Sequence, residues 1–267
     1  MFLEISKAVV LGIVEGVTEF LPISSTGHLI IINNWLRFSP SFTALFDVVI
    51  QLGAIAAVVV VFWKKLWPFG NGSLQMSESL GLWYKVVVAV LPALVLGALF
   101  GAIIEERLFN PVTVALALII GGLVLIFVEK KDRSALLAAD ITYRNAVLIG
   151  LFQCLAMVPG TSRSAATIIG AMLLGVGRAK AVEFSFFLAV PTMVAASGYS
   201  LLKHGFTFTQ NELFVLVVGF VAAFLSALAG ITFFIKYIQN HNFKKFGYYR
   251  VALGAVVLVL SFFSILN

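Results

Sequence analysis

Charged side chains are scarce in this chain of 267 residues: 18 Lys and Arg and 12 Asp and Glu make up only 11% of it. Soluble domains carry about a quarter charged residues. Because 61% of the residues are apolar, there is too little polar surface to cover a soluble fold, and the composition excludes that class. A bilayer accepts such a sequence, since about 20 consecutive apolar residues span its hydrocarbon core as a helix.

Cysteine is almost absent as well, because Cys154 is the only one. No disulfide can therefore form within the chain, and the redox compartment is undetermined. A signal peptide is not expected, because the first apolar run, 8–14, leads directly into Glu15 and Glu19 without a small-residue cleavage site. The net charge of +6 does not indicate a nucleic-acid partner, because the basic residues are scattered through short loops, where they act as topology signals.

Six apolar segments are long enough to cross the bilayer. They lie at about 44–63, 84–103, 111–128, 183–203, 212–236 and 249–266. Two further apolar segments, at about 1–35 and 145–177, are each interrupted by a cluster of Pro, Ser and Thr. Proline removes a backbone donor, and serine favours helix caps over helix interiors. Each interrupted segment is therefore predicted to form a re-entrant helical hairpin.

The basic residues predict which side each loop occupies. If both hairpins enter and leave on one side, the loops at 64–85, 129–144, 178–180 and 236–250 share a face. That face carries Lys64, Lys65, Lys85, Lys130, Lys131, Arg133, Arg144, Arg178, Lys180, Lys236, Lys244, Lys245 and Arg250, and the opposite face carries Lys7, Arg37, Arg107 and Lys203. The bias makes the first face cytoplasmic and places both termini outside.

A weak internal repeat agrees with this layout. Displacing the chain by about 138 residues lays 12–15 over 150–153, and the two Pro and Ser clusters then meet after a one-residue gap. We therefore expect one all-α polytopic membrane domain, 1–267, built from two inverted-topology repeats at about 1–128 and 145–267. Polar sites in such architectures lie at the interface between the repeats.

Two glutamates in the first hairpin indicate a cation site. Glu15 and Glu19 stand four residues apart, so they share one face of a helix, where two like charges repel unless a cation lies between them. The alternative is that one carboxylate reaches the headgroups and the other is protonated. Intramembrane carboxylates are usually functional, which favours a divalent metal.

The two interruptions carry the groups that would bind phosphate. In the first, Ser24, Ser25, Thr26, Gly27 and His28 offer hydroxyls, backbone amides and an imidazole at a helix start, where anions bind. Serine there is also an ordinary N-cap, but an imidazole beside a hydroxyl is typical of an activated nucleophile.

The second interruption contributes Ser162, Arg163, Ser164 and Thr167. Arginine is costly to bury, and its planar guanidinium suits two phosphate oxygens. An ion pair with Glu15 or Glu19 is the alternative role. Either role brings the two hairpins together.

These motifs resemble a known family. Three stretches, Glu15 to His28, Pro159 to Ser164 and Glu183 to Pro191, closely resemble the bacterial undecaprenyl-diphosphate phosphatases associated with bacitracin resistance. The resemblance covers nearly the whole chain. It implies a hydrolase of the bacterial inner membrane that converts undecaprenyl diphosphate to the monophosphate, recycling the carrier lipid for peptidoglycan and cell-wall synthesis, with a site open to the periplasm.

The resemblance also implies roles for the residues. Glu15 and Glu19 would hold Mg²⁺ or Ca²⁺ on the diphosphate, and Arg163 would neutralise charge on the transferred phosphoryl group. Ser25 is the preferred nucleophile, with His28 as its base or as the acid for the leaving oxygen. The remaining residues of the two interruptions would position phosphate oxygens: Ser24, Thr26, Gly27, Ser162, Ser164 and Thr167. Direct attack by water, assisted by His28, fits the sequence equally well.

A transporter or flippase for a polyprenyl phosphate or another anion is the competing hypothesis, because opposed broken helices are also the architecture of alternating-access carriers. A dual role, hydrolysis followed by return of the carrier lipid, is a third. The expected partners are the lipid substrate and membrane lipids, and the sequence leaves open whether copies of the chain form a homo-oligomer.

Overall fold

The computed structural model describes residues 1–36, 38–69, 73–130, 140–204, 208–263 and 265–266. These residues form helices and turns, and the described part of the chain contains no strand. The α-helices are α1 (Phe2–Thr18), α2 (Ser25–Leu36), α3 (Pro40–Val61), α4 (Trp63–Leu66), α5 (Ser73–Leu108), α6 (Pro111–Lys130), α7 (Tyr143–Cys154), α8 (Arg163–Leu173), α9 (Arg178–His204), α10 (Gln210–Asn240) and α11 (Lys244–Phe262). Among the residues counted for topology, Arg37, Lys131 and Arg133 lie outside the described ranges.

The predicted six membrane spans are confirmed in number and place. The candidate spans are Phe42–Val61, Met76–Leu108, Pro111–Glu129, Arg178–Leu202, Gln210–Asn240 and Lys244–Phe262. The protein is therefore an all-helical, multi-pass membrane protein.

The largest boundary error is in α5, which begins at Ser73 rather than near 84. Its early turns are held by tertiary hydrogen bonds: Ser79 donates to the carbonyl of Lys65 at 2.9 Å, and Trp83 donates to the carbonyl of Leu66 at 2.8 Å. Hydropathy alone marks only the apolar part of such a helix, so the prediction began too late.

Both predicted interruptions are present. The chain leaves α1 at Thr18 and starts α2 at Ser25; α7 ends at Cys154, a short 3₁₀ turn follows, and α8 starts at Arg163. The first break has Pro22 in it, as proline's missing N–H predicts.

One serine stands immediately before the second helix of each broken segment, in the same unusual conformation. Ser24 has φ 71° and Ser162 has φ 69°, and the hydroxyl of each accepts a hydrogen bond at 3.3 Å from the backbone N–H three residues later. These two serines are 138 residues apart, whereas the predicted one-residue gap pairs Ser25 with Ser162.

Helices of the first half of the chain, α1–α6, pack against helices of the second half, α7–α11. Helix α1 packs on α10, α7 packs on α5, and α6 packs on α11. Two glycines allow the first of these contacts: a Cβ on Gly12 would lie 2.6 Å from the carbonyl oxygen of Gly219, and a Cβ on Gly16 would lie 2.1 Å from Oγ of Ser226. Similarly, a Cβ on Gly150 of α7 would lie 2.2 Å from the carbonyl oxygen of Ala89. Close helix packing through glycine thus carries both broken segments into the protein interior.

Candidate functional site

A serine, a glutamate and an arginine join the two breaks. Ser25 donates its hydroxyl hydrogen to Oε2 of Glu19 at 2.6 Å, and Nη2 of Arg163 donates to Oε1 of the same carboxylate at 3.2 Å. The Arg163 and Glu19 side chains are only 10% and 8% exposed. Glu19 comes just after α1, Ser25 starts α2 and Arg163 starts α8, so the predicted meeting of the two broken segments is present in the fold.

The surroundings of Arg163 hold its guanidinium in one orientation. Nη1 donates to the carbonyl of Ser185 on α9 at 2.8 Å and to its hydroxyl at 3.3 Å. The hydroxyl of Ser185 also lies 2.7 Å from Oγ1 of Thr167, and the guanidinium carbon lies 5.6 Å from the centre of the Phe20 ring. Nε of Arg163 is buried and finds no acceptor in the described residues.

The predicted phosphate-binding hydroxyls divide into two groups. Ser162 and Ser164 share a hydrogen bond at 3.0 Å, and Ser164 donates to the carbonyl of Leu21 at 2.9 Å. Thr167 is buried one turn further along α8, where it donates to the carbonyl of Arg163 at 2.9 Å. Ser164 thus joins the second break to the first, whereas Ser162 caps α8 and Thr167 bonds to α8 and to Ser185 of α9.

Thr26 and Gly27, two further predicted phosphate-binding residues, lie in the first turn of α2. Thr26 is half-buried in the first turn, and the backbone N–H of Gly27 donates to Ser24. A Cβ on Gly27 would lie 2.9 Å from Cδ1 of Leu118, so glycine lets α2 approach α6. The first turn of α2 adjoins the Ser25 hydroxyl, as a site for phosphate requires.

His28 is engaged away from Ser25. Its Nδ1 lies 2.7 Å from the carbonyl oxygen of Ser24, and its Nε2 lies 2.7 Å from the hydroxyl of Tyr249, whose ring stacks on the imidazole. A carbonyl only accepts, so Nδ1 carries the hydrogen, and Nε2 of the neutral ring accepts from Tyr249. The partner of Ser25 is therefore Glu19 in this conformation, whereas the sequence suggested His28.

Glu15 is fully buried, and neither of its carboxylate oxygens meets a donor in the described residues. Glu19 and Asp47 are its negatively charged neighbours. Asp47 accepts from Asn33 at 3.2 Å through one oxygen, while its other oxygen and the amide oxygen of Asn33 are buried and unpartnered. These oxygens mark a region of buried, unsatisfied acceptors on the first half of the chain.

This donor set fits a hard divalent cation. No group of three or more His, Cys, Asp or Glu residues within the described ranges could enclose a metal. Mg²⁺, however, is usually held by one or two carboxylates and completed by water and substrate phosphate. Buried carboxylate oxygens without donors are what such an ion would satisfy, and both oxygens of Glu19 already have partners.

Comparison with known proteins identifies the family. The model of the bacitracin resistance protein BacA family matches residues 8–256. The chain belongs to this family. It is similar to Undecaprenyl-diphosphatase 1 of Clostridioides difficile (strain 630), with 51% identity over 266 residues and 97% of each chain covered. It is also similar to the undecaprenyl-diphosphatase of Enterococcus faecalis, with 49% identity over 270 residues, 97% of this chain and 98% of that one.

Membership of the BacA family confirms the resemblance drawn from the motifs. The matched region contains both breaks and every residue of the Ser25, Glu19 and Arg163 cluster. The relatives are bacterial proteins and cover this chain nearly from end to end.

Sequence reasoning missed several residues that adjoin the site in this BacA-family protein. Arg250 was counted in a cytoplasmic loop, which was wrong: it lies in α11 and is fully buried. The signal was available, because a helix starting near Lys244 places Arg250 almost two turns inside that helix, directly before an apolar run. Tyr249 and Ser185 carry no comparable sequence signal, since their roles depend on contacts with α2 and α8.

Proposed function

We infer that this chain is a membrane-embedded hydrolase that removes the terminal phosphate of undecaprenyl diphosphate, releasing undecaprenyl phosphate. The observation that carries the inference is the contact between Ser25, Glu19 and Arg163 across two separate breaks. Relatives covering 97% of this chain are named undecaprenyl-diphosphatases, and the family name explains the link to bacitracin resistance.

Ser25 is the proposed nucleophile. Its proton passes to Glu19, which accepts the hydroxyl at 2.6 Å, while Oγ attacks the terminal phosphorus. The bond from phosphorus to the bridging oxygen breaks, and undecaprenyl phosphate leaves with the electron pair. Water then attacks the phosphorus of the phosphoserine and releases a proton to solvent; the bond from phosphorus to Oγ breaks, inorganic phosphate leaves, and Glu19 returns its proton to Oγ. Positioning and charge stabilisation supply most of the catalysis in phosphoryl transfer.

Arg163 would stabilise the charge on the phosphoryl oxygens, because a guanidinium presents paired donors to two oxygens. In the described conformation it is paired with Glu19. Transfer of the Ser25 proton would neutralise Glu19 and free the guanidinium for phosphate. The backbone N–H groups at the starts of α2 and α8 would add donors for the diphosphate.

Attack by water is the second route. In that route Glu19 or His28 accepts a proton from water, and Ser25 only orients the substrate. Acid quenching during turnover separates the two routes, because only the first leaves phosphate attached to Ser25.

A divalent cation, Mg²⁺ or Ca²⁺, is the proposed cofactor. Glu15 would be its principal ligand, because both carboxylate oxygens are buried without donors, and Glu19 would be the second once Arg163 leaves its carboxylate for the phosphate. When bound, the ion would neutralise charge on the diphosphate. Glu15 remains in place through the reaction and moves no proton.

We further propose that the two broken segments are re-entrant and that the halves form inverted repeats in the bacterial inner membrane. The support is twofold: a serine with positive φ immediately precedes both α2 and α8, and α1 and α7 each pack on a long helix of the other half, α10 and α5. Three spans follow in the first half, so the second half begins on the opposite face. With the positive-inside bias, the site then opens to the periplasm, where membrane lipids can deliver the substrate tail.

The experiment is phosphate release from undecaprenyl diphosphate by purified protein in detergent. We expect release that EDTA abolishes and that Mg²⁺ or Ca²⁺ restores. Glu19→Gln and Arg163→Ala should each lower kcat by at least about 100-fold, because a proton acceptor or an oxyanion donor is lost.

The matched control is Glu105→Gln, an exposed carboxylate near the end of α5, which should retain wild-type kcat. Well-folded wild-type protein that releases no phosphate with any divalent cation would overturn the enzyme assignment and favour the transporter. Metal-independent release would remove the cation from the proposal but leave the hydrolase.

A further inference from the structure

Arg250 contacts both breaks at once. Its Nη1 donates to the carbonyl of Pro22 at 3.4 Å, and its Nη2 donates to the carbonyls of Gly160 at 3.2 Å and Thr161 at 2.9 Å. Nε and Nη2 also donate to the carbonyls of Leu118 at 3.4 Å and Ala117 at 3.2 Å on α6. One side chain thus joins α11, α6 and the two turns that precede the site.

The guanidinium occupies a space that glycine leaves open. A Cβ on Gly121 would lie 2.3 Å from Nη2 of Arg250 and 2.9 Å from Cζ. Any larger residue at 121 would push the guanidinium away from the break carbonyls. The helix α6 is therefore shaped to admit this arginine.

Arg250 has no carboxylate partner within the described residues; its hydrogen bonds there all go to backbone carbonyls. It is fully buried, and a buried charge is costly unless hydrogen bonds compensate it. The carbonyls of Pro22, Gly160 and Thr161 lie between helices, so no intrahelical N–H is available to them, and Arg250 supplies the donor. The guanidinium and the break carbonyls therefore satisfy each other's hydrogen bonds. This explains why Arg250 can be buried here without a carboxylate partner.

The geometry points to a positioning role: Arg250 sets the separation of the two breaks, so that Ser25 and Glu19 on one side meet Arg163 on the other. Pro22 lies three residues before Ser25, and Thr161 lies two residues before Arg163, so a shift of either carbonyl moves a reacting group. Misplacement by about 1 Å can cost about 100-fold in rate. This role rests on the proposed hydrolase function.

The test measures kcat and KM for phosphate release by the purified full-length chain. Arg250→Lys keeps the charge, but its single ammonium group cannot donate to carbonyls on both breaks as the planar guanidinium does. We expect kcat to fall about 100-fold with KM within about threefold. Arg178→Lys is the matched control, because Arg178 pairs with Glu129 away from the breaks, and it should retain wild-type kcat.

A double-mutant cycle separates positioning from general damage. If Arg250 acts by aligning Arg163, then Arg163→Lys should cost much less in the Arg250→Lys background than in the wild type, since contacting or coupled residues are non-additive. Equal costs in both backgrounds, or wild-type kcat in Arg250→Lys, would overturn the proposal while the hydrolase assignment stands on the wild-type activity.

Gly121→Ala provides a second, chemically independent variant. It keeps every group of Arg250 but displaces the guanidinium, so kcat should again fall with little change in KM. Gly97→Ala is its control, because a Cβ there meets nothing within 4 Å. If both Arg250→Lys and Gly121→Ala fail to give a monodisperse protein while Gly97→Ala succeeds, Arg250 is a folding residue and the positioning role is rejected.

Discussion

At the scale of single residues, Ser24 and Ser162 show how the backbone prepares the site. Both adopt positive φ, a region that residues other than glycine, asparagine and aspartate seldom occupy. Each keeps the conformation because its hydroxyl caps the following helix. At each serine, the hydrogen bond of the helix cap therefore offsets the cost of the positive φ. The residue that follows, Ser25 or Arg163, is a proposed reacting group.

This balance predicts an order of stability. Ser162→Ala loses the cap and keeps the positive φ, whereas Ser162→Gly loses the cap and relaxes the backbone. We expect the free energy of unfolding of the glycine variant to exceed that of the alanine variant by about 1 kcal/mol or more. The thermal midpoint of the purified glycine variant should therefore be the higher of the two.

The control position is Thr209, which caps α10 with an ordinary φ of −72°. The difference between glycine and alanine there should be smaller, since no strain is relieved. An alanine variant at 162 as stable as the glycine variant would contradict the strained conformation.

At the scale of helices, small residues decide which elements can meet. Helix α1 approaches α10 so closely that Gly16 has no room for a Cβ. Glu15 and Glu19 lie on or directly after the same helix, so this contact determines where the carboxylates are placed. Bulk at position 16 would separate α1 from α10 and shift the carboxylates with it.

We therefore expect Gly16→Ala to lower the thermal midpoint and kcat together. Overpacking of a tight contact costs about 1–3 kcal/mol, and the new Cβ would lie 2.3 Å from the carbonyl oxygen of Ala223. Gly198→Ala is the matched control, because a Cβ there meets nothing within 4 Å, and alanine is a better helix former. A wild-type midpoint for Gly16→Ala would show that α1 and α10 are further apart than described.

At the scale of the whole molecule, the charges on the loops predict the sidedness. Moving Arg250 from a loop into the interior removes one basic residue from the cytoplasmic count, and the remaining excess still lies on that face. The loop after α3 is then predicted to be cytoplasmic, and the turn between α5 and α6 is predicted to be outside.

Labelling of single cysteines on intact cells tests this orientation. In a Cys154→Ala background, Arg107→Cys should react with a membrane-impermeant maleimide, and Lys64→Cys should react only after the cells are opened. Both native side chains are exposed at helix ends, so accessibility reports the side and not burial. The reverse pattern would place the site on the cytoplasmic side.

The sequence by itself determined the membrane class, the six spans and the two breaks, because apolar length and the conformational limits of proline and serine are local properties. It also grouped the residues of the two breaks as one candidate site. The predicted start of α5 was wrong, since tertiary hydrogen bonds from Ser79 and Trp83 hold its early turns.

Only the tertiary structure decided the partners within the site. Local order pairs Ser25 with His28, three residues away, yet packing directs the serine to Glu19 and the histidine to Tyr249. Likewise, charge counting cannot distinguish a loop arginine from Arg250, whose burial depends on carbonyls of distant segments and on the space beside Gly121. Such contacts join residues far apart in the chain, so they follow from how the helices pack and not from any local pattern.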